Sequence, residues 1–155
     1  MAALGRWGRT MTPTLIGRWQ TRLLLLATIG SLITLLVGRS YDDLSGSFIL
    51  LCYVLIIGLA ADVLYQLIQS FRWDEDWPMS FQLLAGLVEG VFLWGLISLV
   101  RWEEFGFLGM PGVGFISFSH FFNHYAAVWF AIFLVTQGPL RVIFPRWRFF
   151  GGRWL

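Results

Sequence analysis

Long apolar runs dominate this sequence and limit its possible folds more than any other feature. They lie at about residues 20–38, 48–71, 79–100 and 115–137. A helix needs roughly 20 apolar residues to cross the ~30 Å hydrocarbon core of a bilayer. Composition agrees, because 57% of the residues are hydrophobic and 13% are charged. The sequence therefore predicts an all-α integral membrane protein: one domain, residues 1–155, folded as a four-helix transmembrane bundle with short loops.

The first apolar run follows a basic segment and is the shortest. Its uncharged part, residues 23–38, rises only about 24 Å, so we expect Trp19 and Arg22 to lie partly in the membrane interface. A basic segment before an apolar run is also typical of a signal peptide or an organellar transit peptide. Residues 39–43 offer no small-residue cleavage site. We therefore interpret the run as an uncleaved first span.

The fourth span is the hardest to delimit. No charged residue occurs among the 36 residues between Glu104 and Arg141. That length is too great for one simple span and too small for two. Pro and Gly within residues 110–114 supply a break. We expect an interfacial or re-entrant loop over residues 105–112, and a span that begins near Val113 or Ser117.

The arginines predict the orientation. All 11 basic residues are arginine; four lie in or beside the tail 1–18, four lie in the tail 141–155, and each connecting segment has one. Cytoplasmic segments carry the excess of basic residues, so both tails are expected in the cytoplasm. Basic residues that flank apolar runs favour anionic lipid head groups over nucleic acid. We expect a bacterial inner membrane, or a thylakoid or organellar inner membrane.

Two acidic residues, Asp62 and Glu89, interrupt the second and third runs. Both are expected about 14 Å from the cytoplasmic edge, with Gln66 and Gln82 on the same helix faces, so the four side chains form a predicted intramembrane polar cluster. No arginine is near either acid in sequence, so we expect at least one carboxyl group to carry a proton. Either a proton or cation site, or a hydrogen-bonded structural lock, would explain the pair.

His120 and His124 stand four residues apart on one helix face. This spacing allows two imidazoles to bind one metal ion. One of them alone could ligate a haem or a chlorophyll shared with another subunit, because two axial ligands cannot come from the same side of one helix. No third ligand is evident in the sequence. The pair is therefore a candidate metal or cofactor site, and the cofactor is unknown.

Two charged segments are candidates for partner docking. Asp74, Glu75 and Asp76 precede the third run, and Arg146 and Arg148 alternate with aromatic residues in the last tail. The acids are equally explained as caps of the third helix. The arginine and aromatic residues are equally explained by a lipid interface.

No catalytic motif is present, so we expect a protein that is not an enzyme. The favoured function is an accessory or assembly subunit of a larger membrane complex, bound to other membrane subunits or to copies of itself. One alternative is a small proton- or ion-coupled transporter or channel that uses Asp62 and Glu89. Another is a membrane subunit that binds a metal, haem or chlorophyll through His120 or His124.

The arginine distribution gives a direct test of orientation. Reporter domains fused to either terminus should both be active on the cytoplasmic side, because four crossings return the chain to the side where it began. A reporter active at only one end on that side would contradict the prediction.

Overall fold

A computed structural model describes residues 14–71, 79–100, 113, 116–144 and 153–154. These residues form four long helices, α1 to α4, followed by the short helix α5. Their bounds are Leu15–Ser40 for α1, Leu44–Ser70 for α2, Met79–Val100 for α3, Phe118–Gln137 for α4 and Pro139–Ile143 for α5. Four segments are long and apolar enough to cross a membrane, the last being α4 with α5. The predicted fold is confirmed: the protein is a multi-pass all-α membrane protein.

The first span is longer than its hydropathy indicates. Helix α1 begins at Leu15, where Thr14 caps it by accepting a hydrogen bond from the Gly17 N–H at 3.2 Å. Its 26 residues rise about 39 Å, enough to cross the ~30 Å hydrocarbon core. Arg22 therefore lies about 10 Å inside the start of a full-length helix. Helix α4 begins at Phe118 with Ser117 as its cap, while the loop expected over residues 105–112 lies outside the described residues.

A π turn at Leu26–Gly30 divides α1. Before it, the buried residues are Gly17, Thr21 and Leu25; from it onward they are Leu26, Gly30, Thr34 and Gly38. Within each set the buried residues are four apart. Continuing the first set would bury residue 29, but Gly30 is buried instead, one residue later. A π turn acts as an inserted residue, because its hydrogen bonds span five residues instead of four. It thus keeps both halves of α1 facing the bundle.

The start of α1 and residues 153–154 lie at one end of the bundle, which we call the terminal end. Arg153 Nε donates to Thr14 Oγ1 at 3.2 Å, and the Trp154 N–H donates to Gln20 Oε1 at 3.0 Å. The C-terminal segment therefore lies against the start of α1. The opposite end contains the turn between α1 and α2 and the start of α4, and we call it the hairpin end. Which membrane face each end occupies stays a prediction.

The α1–α2 turn brings these two helices back antiparallel in three residues. Asp42 has φ 53°, in the left-handed region that asparagine and aspartate tolerate better than most residues. The Asp43 N–H donates to the Gly38 carbonyl oxygen at 3.0 Å, and the Asp43 side chain caps α2 at the Gly46 N–H. Asp42 thus forms the turn, and Asp43 caps the start of α2.

Apolar side chains fill the middle of the bundle. We call this set the apolar layer; its fully or nearly fully buried members are Leu26, Leu50, Leu51, Val54, Leu93, Ile97 and Val128. They come from all four spans and separate the two ends. Polar interior side chains are consequently divided into two groups, one on each side of the apolar layer.

Glycines allow α3 and α4 to approach closely. The Trp129 indole occupies the space where a Cβ of Gly86 would lie, and the Tyr125 ring does the same at Gly90. The Tyr125 hydroxyl also donates to the Gly86 carbonyl oxygen at 2.6 Å. Two small residues four apart are a common contact motif between membrane helices. Here the grooves they form accept aromatic rings.

Replacing Gly86 should therefore loosen the α3–α4 contact. We expect Gly86→Leu to lower the free energy of unfolding by about 1–3 kcal/mol, because the added side chain must displace Trp129. Gly95→Leu is the matched control, since a Cβ at Gly95 meets nothing within 4 Å. Equilibrium unfolding in mixed micelles measures both variants, and equal losses would contradict the packing described.

Candidate functional site

A buried arginine joins the two intramembrane acids. Arg22 Nε and Nη2 donate to Asp62 Oδ2 and Oδ1 at 2.9 and 3.0 Å. Its Nη1 and Nη2 donate to Glu89 Oε2 and Oε1 at 3.0 and 3.1 Å. The guanidinium therefore binds both carboxylates through paired hydrogen bonds, the strongest geometry available to it. We call Arg22, Asp62 and Glu89 the triad; it links α1, α2 and α3.

The backbone of α2 makes room for this guanidinium. Gly58 lies one turn from Asp62, and the Arg22 side chain occupies the space that a Cβ at Gly58 would fill. The Asp62 and Glu89 side chains are nearly buried, with 5% and 10% of their surface exposed. Glycine is thus required at position 58 for Arg22 to reach Asp62 from α1.

A second arginine balances the charge. Arg18 lies one turn before Arg22 on α1, and its Nη2 donates to Gln69 Oε1 at 2.8 Å. It is also within electrostatic range of Asp62 and Arg22. Two arginines and two carboxylates have a formal sum of zero. Because an unbalanced charge is costly in a low-dielectric interior, this balance stabilises the buried cluster.

The expectation that no arginine neutralises the acids is therefore wrong. Arg22 is distant from both in sequence, but α1 and α2 run antiparallel and bring it to the depth of Asp62. The sequence does contain the signal. If α1 starts at Leu15, helix rise alone puts Arg22 about 10 Å deep, within reach of acids placed at about 14 Å. The proton inferred for Asp62 or Glu89 is then not needed for charge balance.

The two predicted glutamines do not hydrogen-bond to the triad in the described structure. Gln82 Nε2 donates to Thr136 Oγ1 at 3.3 Å, and Gln137 Nε2 donates to Gln82 Oε1 at 2.6 Å. Gln66 lies one turn from Asp62 on α2, and its Oε1 is buried with no hydrogen-bond partner among the described residues. The glutamines thus form a polar region between the triad and the terminal end.

The two histidines lie in the hairpin half of the bundle, away from the triad. His120 Nε2 is 2.7 Å from Ser47 Oγ, and His124 Nε2 is 2.8 Å from Thr34 Oγ1. The Tyr41 ring stacks on His120 with 4.3 Å between centroids. Each histidine therefore connects α4 to a different helix, His120 to α2 and His124 to α1.

The hydroxyl contacts favour one tautomer of each histidine. Ser47 Oγ lies 2.8 Å from the Asp43 carbonyl oxygen and Thr34 Oγ1 lies 2.8 Å from the Gly30 carbonyl oxygen, and each hydroxyl can donate there. A hydroxyl has one proton, so one that donates to a carbonyl accepts from the imidazole. This arrangement favours the tautomer with the proton on Nε2. His124 is fully buried, and its Nδ1 has no hydrogen-bond partner in the described part of the chain.

This donor set is a poor fit to a metal or haem. Both Nε2 atoms face hydroxyl groups of neighbouring helices. Among the described residues, no third His, Cys, Asp or Glu joins them to make a group that could hold a metal ion. The geometry instead matches interhelical hydrogen bonding, a common use of histidine and hydroxyl side chains within membranes.

The candidate docking residues cannot be placed. Asp74, Glu75, Asp76, Arg146 and Arg148 lie outside the described residues. Of the arginine and aromatic tail, the described part is Arg153 and Trp154. The Trp154 ring contacts Phe144 edge-on at 4.9 Å, so at least this part of the tail folds back onto the bundle.

Comparison with known proteins adds no relative: no protein family, no curated protein and no solved structure matches this chain.

The triad predicts an asymmetric set of mutational effects. Arg22→Leu should lower the free energy of unfolding by about 3–5 kcal/mol, because it leaves two buried carboxylates without their partner. The double variant Asp62→Asn with Glu89→Gln should also destabilise, because it leaves the Arg22 charge unpaired. Combining all three changes should recover part of the loss, because the paired charges are then removed together while Arg18 keeps its hydrogen bond to Gln69.

Arg39→Leu is the matched control for these variants, since Arg39 is an exposed arginine at the other end of α1. Unfolding in mixed micelles measures the whole set. Additive losses in the triple variant would show that the three side chains do not interact.

Proposed function

We propose that this protein is a non-enzymatic accessory or assembly subunit of a larger membrane complex, and that its lipid-facing surface binds other membrane proteins. The observation that carries the proposal is how the interior is organised. Its charged side chains pair with each other across helices, and the apolar layer lies beyond them. Such an interior stabilises one arrangement of helices, which suits a protein that acts through its outer surface.

The apolar layer argues against continuous conduction through one chain. Arg22 and Thr34 mark the two polar groups on α1, and they are separated by about 18 Å of helix. Between them lie fully buried aliphatic side chains, including Leu50, Leu93 and Val128. Ions and protons need water or polar groups to cross such a distance. The described residues thus support a closed bundle.

The outer surface of α3 and α4 is the best candidate for binding a partner. In the most apolar 18-residue stretch of the last span, 17% of the residues are buried within the protein, against 33% in each of the first two spans. Several phenylalanines of α3 and α4 are exposed, among them Phe92, Phe122 and Phe130, with 56%, 57% and 54% of their surface exposed. Large rigid rings lose little entropy when they pack, so they are common anchors in interfaces.

Not all the aromatic residues of α3 and α4 are available for such contacts. Trp94 packs against Phe121 with centroids 5.1 Å apart, and Phe133 stacks with Trp129 at 5.8 Å. These rings are buried or partly buried; the Trp94–Phe121 contact joins α3 to α4, and Phe133 supports Trp129, which packs on Gly86 of α3. The exposed phenylalanines are therefore the residues to change in a test of partner binding.

For its location we propose a bacterial inner membrane, or a thylakoid or organellar inner membrane, with the terminal end in the cytoplasm or its organellar equivalent. Trp19, Arg141 and Arg153 are exposed or near-exposed at the terminal end. Arginine and tryptophan favour the interface with anionic lipid head groups.

A proton- or ion-coupled transporter is the second candidate function. The triad favours it, because ionisable side chains within membrane spans often belong to ion or proton pathways. A transporter built on this chain must open the apolar layer or form its pathway with other subunits. The two functions therefore differ in whether the isolated protein moves ions.

The proposed function predicts stable association. Native mass spectrometry of gently solubilised membranes should find the chain bound to other membrane proteins or to further copies of itself. Changing Phe92, Phe122 and Phe130 together to alanine should reduce this association by about tenfold or more, because anchor side chains contribute more than 1 kcal/mol each.

Alanine at Ile56, Leu64 and Leu67 is the matched control, because these side chains are similarly exposed on α2. Equal loss in both variants would contradict the proposed surface. A solitary chain that moves protons or ions into liposomes, dependent on Asp62 or Glu89, would replace the accessory function with transport.

A further inference from the structure

We propose that water and protons reach the triad from the terminal end of the bundle alone. This inference goes beyond the accessory function and does not depend on it. It concerns the side of the membrane from which Asp62, Glu89 and Arg22 exchange protons with water.

The inward face of α3 is polar on the terminal side of Glu89 and apolar on the hairpin side. On the terminal side, Gln82 bonds to Thr136 and Gln137, and the Ala85 and Gly86 carbonyl oxygens accept from Tyr65 and Tyr125 at 3.2 and 2.6 Å. Each turn from Gln82 to Glu89 thus carries polar groups. On the hairpin side, the next two turns place Leu93 and Ile97 inward, both almost fully buried.

Two buried oxygens in this polar region indicate water. The Oε1 atoms of Gln66 and Gln137 are buried and have no hydrogen-bond partner among the described residues. Buried polar atoms without a protein partner are normally satisfied by ordered water, because leaving them unpaired is costly. Gln66 lies one turn from Asp62, while Gln137 binds Gln82 nearer the terminal end. Water at both oxygens would occupy successive levels between that end and the triad.

The tyrosine hydroxyls connect these levels. The Tyr125 hydroxyl donates its one proton to a backbone carbonyl of α3, while the Tyr65 hydroxyl contacts both the Ala85 carbonyl oxygen and the Glu89 carboxyl group. Their oxygens can still accept a hydrogen bond from water. Donors and acceptors therefore follow one another from Gln137 to the triad.

Toward the hairpin end, the described residues offer no comparable sequence of polar groups. Leu26, Leu50, Val54, Leu93 and Val128 fill the next level of the interior and are buried. An interior lined by aliphatic side chains stays dry. The triad is consequently separated from the hairpin end, where the next interior polar side chains are Thr34 and His124.

The exchange rate of the Arg22 side-chain N–H protons with solvent tests this inference. Uniformly ¹⁵N-labelled protein is placed in lipid nanodiscs, and the Arg22 Nε–H signal is assigned by its loss in Arg22→Lys. We expect it to exchange faster than the backbone N–H groups of Leu50 and Val54, which lie in the apolar layer. Both sides of the nanodisc are open to water, so direction is established by variants.

Gln66→Leu combined with Gln137→Leu removes the two oxygens at similar side-chain volume and should slow Arg22 exchange by about tenfold or more, since exchange then requires local opening. Ser47→Ala, which removes a buried hydroxyl from the hairpin half, should leave it unchanged.

Backbone spectra and unfolding curves confirm that each variant folds. Exchange as slow as that of Leu50, no effect of the glutamine changes, or an equal effect of Ser47→Ala would overturn the proposal. Because a single isolated chain is measured, the result is independent of partner binding.

Discussion

The cost of placing charge in hydrocarbon governs this structure. A charged side chain within a bilayer must find a partner or lose its charge, and Arg22 meets that requirement for two carboxylates at once. Since these groups come from α1, α2 and α3, the interaction fixes the axial positions of three helices together. Apolar packing alone specifies such positions weakly, because lipid chains solvate leucine as well as another helix does. The triad is therefore the main source of register in the bundle.

In the hairpin half, hydrogen bonds between neutral side chains fix the relative positions of the helices. Hydroxyls of α1 and α2 relay imidazole hydrogen bonds to helix carbonyl oxygens that already accept a backbone bond. Such bonds are individually weak in membranes, about 0.6 kcal/mol on average. They act on the pairs α1–α4 and α2–α4, which the triad does not reach. Together the two polar groups tie α4 and α3 to the same central pair of helices.

Hydropathy and arginine counts predicted the number and approximate place of the spans, because apolar length is a local property. The pairing of Arg22 with Asp62 and Glu89 was missed for a specific reason. The start of α1 was read from the apolar run, whereas Thr14 caps the helix earlier and places Arg22 deeper. The shared face of His120 and His124 follows from their spacing. Their partners Ser47 and Thr34 depend on which helices are neighbours, and spacing within one helix cannot supply that.

The π turn in α1 has a consequence for how the chain tolerates length changes. Removing one residue from Leu26–Gly30 would restore ordinary helix and leave both halves of α1 facing the bundle, because the turn holds one residue more than an α-helix with the same facing. Winding the same residues into ordinary helix without a deletion would instead rotate one half of α1 by about 100° relative to the other. The triad arginine and the threonine that binds His124 would then face different directions, although no residue had changed. Helix α1 thus behaves as two segments whose rotation about the helix axis relative to each other is fixed by the turn. Its five-residue turn is the element that makes the two polar groups compatible with one continuous helix.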